Sequence, residues 1–332
     1  PNFSKCTVDI FIQINSQCLI FSRWNLFYWF VTTNFNISNH ISIIWAFDLL
    51  FNVKNRFTAK LVILSKNKVI ILIFVKKELK VYFLGTGTSQ GIPVIGSQHS
   101  VCMSSDSRDQ RLRVSIWIQM DATSIVIDCG PDFRQQMLTS KCQHIDALLF
   151  THEHSDHTAG LDDIRPFYFK QGNIALYAHN RVLQNLEKRF DYIFKTDDKY
   201  PGAPSVSPHQ VKENTPFRVH NYTIEPINAW HGSLQVFGYK LQDFVYLTDV
   251  KSMDTTEIDK IKNCNVLVIN CLRKENHATH FNLAEALHFI SLVQPQKTYF
   301  THISHLFGFH AEIEQQLPPN VFVAYDNLEI TI

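Results

Sequence analysis

Residues 151–157 read Thr-His-Glu-His-Ser-Asp-His, so three imidazoles and two carboxylates follow directly on the apolar run Ala147-Leu148-Leu149-Phe150. Neutral imidazoles and carboxylates are donors for divalent cations. The spacing offers two pairs, His152 with His154 and Asp156 with His157, so one loop can serve two metals. A solvated turn carrying ordinary surface histidines is the alternative. Placing so many polar groups after a buried strand is costly unless a cation neutralises and orients them, and metal binding is therefore expected.

Two metals need more ligands than one loop provides. His231 follows the run Tyr222 to Ile227 and precedes another strand-like run, Asp249 closes Phe244-Val245-Tyr246-Leu247-Thr248, and His302 closes Thr298-Tyr299-Phe300-Thr301. A buried strand that ends in Asp or His leaves a polar group in need of a partner where the sheet stops, and a metal is such a partner.

The elements that must position these residues have the punctuation of an α/β or α+β domain from Leu79 onward. Strand-like runs occur at 80–84, 114–120, 124–127, 147–150, 174–178, 236–241, 244–247, 266–269, 298–300 and 321–324. Asn180 is expected to cap a helix whose Leu183, Leu186, Phe190 and Ile193 share one face, and Asn282 with Glu285 forms a capping-box-like start to Leu283 through Val293.

The order HxHxDH, a lone His, an Asp after a strand and a His after another strand resembles the metallo-β-lactamase superfamily from about Leu79 to the C-terminus. Further stretches, Phe83-Leu84-Gly85-Thr86-Gly87-Thr88-Ser89-Gln90-Gly91-Ile92-Pro93, Ile127-Asp128-Cys129-Gly130-Pro131-Asp132, Leu247-Thr248-Asp249 and Thr301-His302-Ile303-Ser304-His305, are similar to the branch of phosphoribosyl 1,2-cyclic phosphate phosphodiesterase, which itself resembles the 3′ tRNA-processing endonucleases. The resemblance implies an α+β fold, the αβ/βα sandwich of two mixed sheets packed face to face with helices outside. It implies two divalent ions, Zn2+ or Mn2+, with His152, His154 and His231 on one, Asp156, His157 and His302 on the other, and Asp249 bridging. It further implies that His280, in Asn276-His277-Ala278-Thr279-His280, assists the leaving group. Histidine suits that task because its ordinary pKa lies near neutrality. Asp128 either orients a ligand histidine or caps the turn Asp128-Cys129-Gly130.

In that branch the loop after the glycine-rich turn carries three cysteines that hold a structural zinc with a later histidine. Here the positions read Ser97, His99 and Cys102, with His305 as the later histidine, so a three-residue additional Zn2+ site of His99, Cys102 and His305 is a reduced version. The glycine-rich segment lacks both P-loop and GxGxxG spacing and reads as a tight turn, with backbone N–H groups available to phosphate. Arg165 and the pair Arg111 and Arg113 are candidate phosphate-binding residues; surface salt bridges are the alternative for each.

The first 78 residues differ in composition. Pro1 is their only proline, they have no glycine, and Phe, Ile and Asn make up 31 of the 78. They are read as an atypical leader, either upstream sequence translated in frame or a membrane-associated extension, and residues 79–332 as the hydrolase domain. The leader carries nine Lys/Arg against three Asp/Glu, which leaves 22 against 27 afterwards, a net −5. A mildly acidic domain argues against general nucleic-acid binding, and no membrane contact is expected for residues 79–332. Seven scattered cysteines without a CxxC pair fit reduced thiols in the cytoplasm.

The expected function is a metal-dependent phosphodiesterase in which a metal-bridged hydroxide, with catalytic Asp156, Asp249 and His280, hydrolyses a small cyclic or nucleotide-like phosphodiester. The alternatives are a thioester or lactone hydrolase of the same fold, a tRNA 3′ endonuclease, or a non-catalytic metal-binding accessory protein. A homodimer is one assembly open to the chain, and the sequence does not set the oligomeric state.

Overall fold

In the computed structural model the described residues are 78–332, together with strand backbone at Ile20–Phe21, Tyr28–Phe30, Ala46–Leu49, Phe57–Leu64 and Val69–Lys76. These five strands pair antiparallel into one sheet. The chain divides into compact units at 1–77 and 78–332. Whether residues 1–78 are a leader or a membrane-associated extension lies outside the described residues; no described helix is long and apolar enough to cross a membrane.

Residues 78–332 form two seven-stranded mixed sheets. The first runs Val206–Val211, Ile174–His179, Ala147–Leu149, Thr123–Ile127, Ser115–Met120, Leu79–Gly85, Glu329–Thr331; the second runs Phe217–Val219, Tyr222–His231, Leu234–Leu241, Phe244–Tyr246, Val266–Asn270, Lys297–Thr301, Val321–Val323. In each sheet three antiparallel pairings give way to three parallel ones. Parallel strands must start at the same end, so their C-terminal ends line one edge, where ligand-carrying loops gather.

Strand alternation divides the side chains among three apolar layers, one between the sheets and one on the outer face of each. Val81, Phe83, Ile116, Ile118, Ile125, Ile127 and Leu149 meet Ile224, Phe237, Tyr239, Phe244, Tyr246 and Val268 between the sheets. The opposite faces are covered by helices. Phe133–Ser140 and Asn180–Arg189 place Phe133, Met137, Val182 and Leu186 against Trp117, Val126, Leu148 and Leu176, while Thr255–Ile261 and Leu283–Val293 cover Val245, Leu267 and Ile269 with Ile261, Phe289 and Val293. The fold is thus the two-sheet α+β sandwich with helices outside that the resemblance implied. Each large core side chain contributes roughly 1.5–3 kcal/mol by leaving water.

The capping box at Asn282 is complete: Glu285 N donates to Asn282 Oδ1 at 2.8 Å and Asn282 N donates to Glu285 Oε2 at 3.0 Å. Asn180, expected as a cap, is instead the first residue of helix Asn180–Arg189, and His179 caps it by accepting from Arg181 N at 3.3 Å. Val206–Val211 was not legible as a strand because it lies at a sheet edge, carries Pro208 and exposes Pro208, His209 and Gln210, which removes the apolar signal.

Candidate metal centre

The loop after Ala147–Leu149 is drawn onto the second sheet by two bonds, Phe237 N to Thr151 O at 3.0 Å and Tyr239 OH to Phe150 O at 2.7 Å. It then enters a single helical turn, Ser155–Thr158, which turns Asp156 and His157 toward the same edge. Strand ends of the two sheets supply the rest. Asp128 lies one residue past Thr123–Ile127, and His302 one past Lys297–Thr301. Asp128, Asp249 and His302 adopt the left-handed backbone at φ 65°, 60° and 54°. Non-glycine residues are uncommon there, and three of them at strand ends of the two sheets mark backbone held for side-chain placement.

All seven residues proposed as ligands come together. His152, His157 and Asp249 present donor atoms within 4.8 Å of one another, as do Asp156, His157 and His302, and also His231, Asp249 and His280. His154 joins through its Nδ1, 2.9 Å from His152 Nε2, and its ring centroid lies 5.3 Å from that of His231. Hydrogen bonds to the opposite ring nitrogens fix several imidazoles. His157 Nδ1 donates to Asp128 Oδ2 at 2.7 Å, His231 Nδ1 to Thr279 O at 2.8 Å, and His152 Nδ1 lies 3.0 Å from Thr151 Oγ1. Each leaves Nε2 facing the shared cavity. Asp128 also accepts from Thr151 N at 2.9 Å, so it orients a histidine and ties the loop end together.

Two buried carboxylates, Asp128 and Asp249, converge here with the partly buried Asp156, and among the described residues their ion-pair partners are all histidines. Burial would raise the Asp156 and Asp249 carboxyls, but the neighbouring imidazoles His157 and His302 outweigh it and hold both far below the usual range. Burial would lower His157, yet Asp156, Asp249 and Asp128 drive it well above its ordinary value. Burial lowers His152 and His154, which keeps them neutral, the form that binds a cation. His157 Nε2 and both ring nitrogens of His302 are buried without a hydrogen bond. An anionic cavity lined by unbonded imidazole nitrogens is the donor set that divalent cations require, so these residues fit the expected pair.

His280 is buried in the same cavity with Nε2 2.9 Å from Asp249 Oδ1. Burial pushes it down to about 4, against the pull of Asp249. His277, half-buried, lies behind it with the two Nδ1 atoms 3.1 Å apart.

The three arginines are engaged elsewhere. Arg111 is 3% exposed, and its guanidinium donates to Thr86 Oγ1 at 2.8 Å and to Ala324 O at 2.5 Å, with His310 Nδ1 3.2 Å away. It holds the interior of the loop instead of presenting donors to a ligand. Arg113 pairs with Asp132 at 3.0 Å, and Arg165 with Asp162 at 2.9 Å and Tyr200 OH at 3.0 Å. The glycine-rich turn likewise uses its N–H groups internally: Gly87 N donates to Leu112 O, Thr88 N to Ile303 O and Gly91 N to Thr88 O. His99 and His305 do meet, with ring centroids 5.0 Å apart. Cys102 Sγ accepts from Val94 N at 3.5 Å, and none of the metal-sized groups among the described residues includes it.

One close approach supports the whole loop. A Cβ added at Gly130 would lie 2.1 Å from Asp156 O, and one at Gly160 would lie 2.0 Å from Gly130 O. Gly130→Ala must therefore displace the turn that carries Asp156 and His157. We expect about 100-fold loss of turnover, in keeping with a misplacement of about 1 Å, and a parallel fall in bound metal measured by elemental analysis. Wild-type turnover in this variant would show that the contact does not hold the loop.

Residues 123–303 match the beta-lactamase superfamily domain. The chain belongs to the metallo-β-lactamase superfamily of hydrolases, near the PhnP branch, a family that uses divalent metal. It is 34% identical to a diphosphatase of the PhnP family known from its crystal structure, covering 77% of this chain and 97% of that one with a TM-score of 0.72. It is 39% identical over 256 residues to an octanoyltransferase of Porphyromonas gingivalis, covering 76% of this chain and 52% of that protein. It is 25% identical over 170 residues to ribonuclease Z of Bacillus velezensis, covering 50% of this chain and 49% of that protein. The chain thus spans about half the length of the curated relatives it matches.

Proposed function

We propose that residues 78–332 are a dinuclear metal-dependent phosphodiesterase acting on a small cyclic or nucleotide-like phosphodiester. The observation that carries this reading is the meeting of Asp249 with ligand histidines from both sheets on one side and with His280 on the other. Two bound divalent ions, Zn2+ or Mn2+, would supply activation of water and neutralisation of charge on a phosphoryl oxygen.

The protein's own groups do the rest. His152, His154 and His231 would hold one ion, Asp156, His157 and His302 the other, with Asp249 shared. Asp128 holds the His157 ring by accepting from Nδ1, and the Thr279 carbonyl does the same for His231. His280 is placed to deliver a proton to the departing oxygen while its Nε2 faces Asp249. An alkoxide gains much from such a donor, whereas a thiolate barely needs one, and this favours phosphodiesters over thioesters. The diphosphatase and the ribonuclease among the relatives both act at phosphorus, which supports the same reading. Acyl transfer through a thioester would need an accessible thiolate. Cys129 and Cys271, the cysteines next to the site strands, are buried, and burial raises both thiols.

The test compares purified protein stripped of metal and reloaded with Zn2+ or Mn2+ on bis(p-nitrophenyl) phosphate, 2′,3′-cyclic nucleotides, an acyl thioester and a lactone. Metal-dependent phosphodiester turnover at least about 100-fold above the ester substrates is expected. The reverse order would assign the site to thioester or lactone hydrolysis.

A further inference from the structure

Asn270 ends the strand Val266–Asn270 and is fully buried. Its amide grips both backbone groups of one residue: Oδ1 accepts from Val250 N at 2.6 Å, and Nδ2 donates to Val250 O at 3.0 Å. The same Val250 carbonyl accepts from Phe281 N at 2.9 Å. Val250 follows Asp249, whose backbone is left-handed at φ 60°, and Phe281 follows His280. A backbone of that kind persists only where its surroundings over-determine it. The two-point grip fixes the Val250 peptide on both sides, and the shared carbonyl links it to the His280 loop.

We propose that Asn270 is a positioning residue that sets Asp249 and His280 as one unit, through Val250. This rests on the reading of Asp249 as the shared ligand and of His280 as the proton donor. The pairing requires an acceptor and a donor side by side at this reach. An ionised Asp keeps the acceptor for Val250 N but turns a second acceptor onto Val250 O. Leu matches the shape and offers neither group, and Gln is longer by one methylene.

The full chain carrying Asn270→Asp or Asn270→Leu is compared with wild type for folding by circular dichroism, for Mn2+ and Zn2+ affinity by equilibrium dialysis, and for kcat and KM on 2′,3′-cyclic nucleotides. Asn270→Asp is expected to fold, to keep KM within about twofold, to lose about tenfold in kcat, and to bind the weaker ion about tenfold less tightly. Asn270→Leu should lose about 100-fold on the same measures; should it fail to fold, the Asp variant decides. A folded Asp variant with wild-type kcat and metal affinity overturns the proposal, as does one whose only change is a lower melting temperature. Wild-type protein that binds two ions but turns over no phosphodiester overturns the functional reading instead, and metal affinity of the variants then decides the role of Asn270.

Discussion

Asp249→Ala is expected to remove at least about a thousandfold of phosphodiester turnover, because the site loses the carboxylate common to both proposed ions, a contribution of about 4 kcal/mol to the transition state. Asp249 is 2% exposed, and its oxygens lie 3.3 Å from His157 Nε2, 3.2 Å from His302 Nε2 and 2.9 Å from His280 Nε2. Alanine leaves those imidazoles in place with Asp156 as the one remaining carboxylate to draw the second ion toward them. The loss is separable from misfolding by melting temperature. At metal 100-fold above its dissociation constant, binding stabilises wild type by about 2.7 kcal/mol, an increase of roughly 5–10 °C for a domain of this size. The variant should fold and show less than half of that increase. An unchanged metal-dependent rise together with wild-type turnover would remove Asp249 from the centre.

His280→Ala should separate chemistry from metal binding. The imidazole contacts Asp249 but lies outside the proposed ligand set, so the variant is expected to keep both ions and the metal-dependent rise in melting temperature. Turnover of 2′,3′-cyclic nucleotides, whose leaving group is an alkoxide, should fall about 100- to 1,000-fold. Bis(p-nitrophenyl) phosphate releases a phenolate that departs without a proton, so its loss should stay below about tenfold. Equal losses on both substrates would mean that His280 acts through the position of Asp249 and not as a proton donor. Burial holds His280 at about 4 while the Asp249 carboxylate opposes that shift. At that value the ring is neutral near pH 7, so it has to take up a proton when the phosphodiester is bound before it can donate one, and its hydrogen bond to Asp249 keeps the group aimed into the cavity.

Much of the site was legible in the sequence because metal ligation depends on residue type. Few side chains can serve, and a polar residue at the end of an apolar run stands out: His152, Asp249 and His302 are visible for that reason, while Asn270 after Val-Leu-Val-Ile shares the pattern but carries an amide, which is not among the usual zinc ligands. The capping box at Asn282 and most strands were legible from local periodicity. The arginines were not. Arg111 has the composition of a phosphate ligand, yet it is buried against Thr86, Ala324 and His310, and its partner at Ala324 lies 213 residues away in sequence.

The sequence by itself determined which groups can bind a cation, in what order they occur, and which strands end in them, because imidazole and carboxylate chemistry belongs to the residue. Only the tertiary structure decided that the edges of two sheets meet, that Asp128, Asp249 and His302 adopt left-handed backbone, and that His280 faces Asp249 while Asn270 holds Val250. Those outcomes depend on packing between strands far apart in the chain, and no local pattern encodes where two distant strand ends will stop.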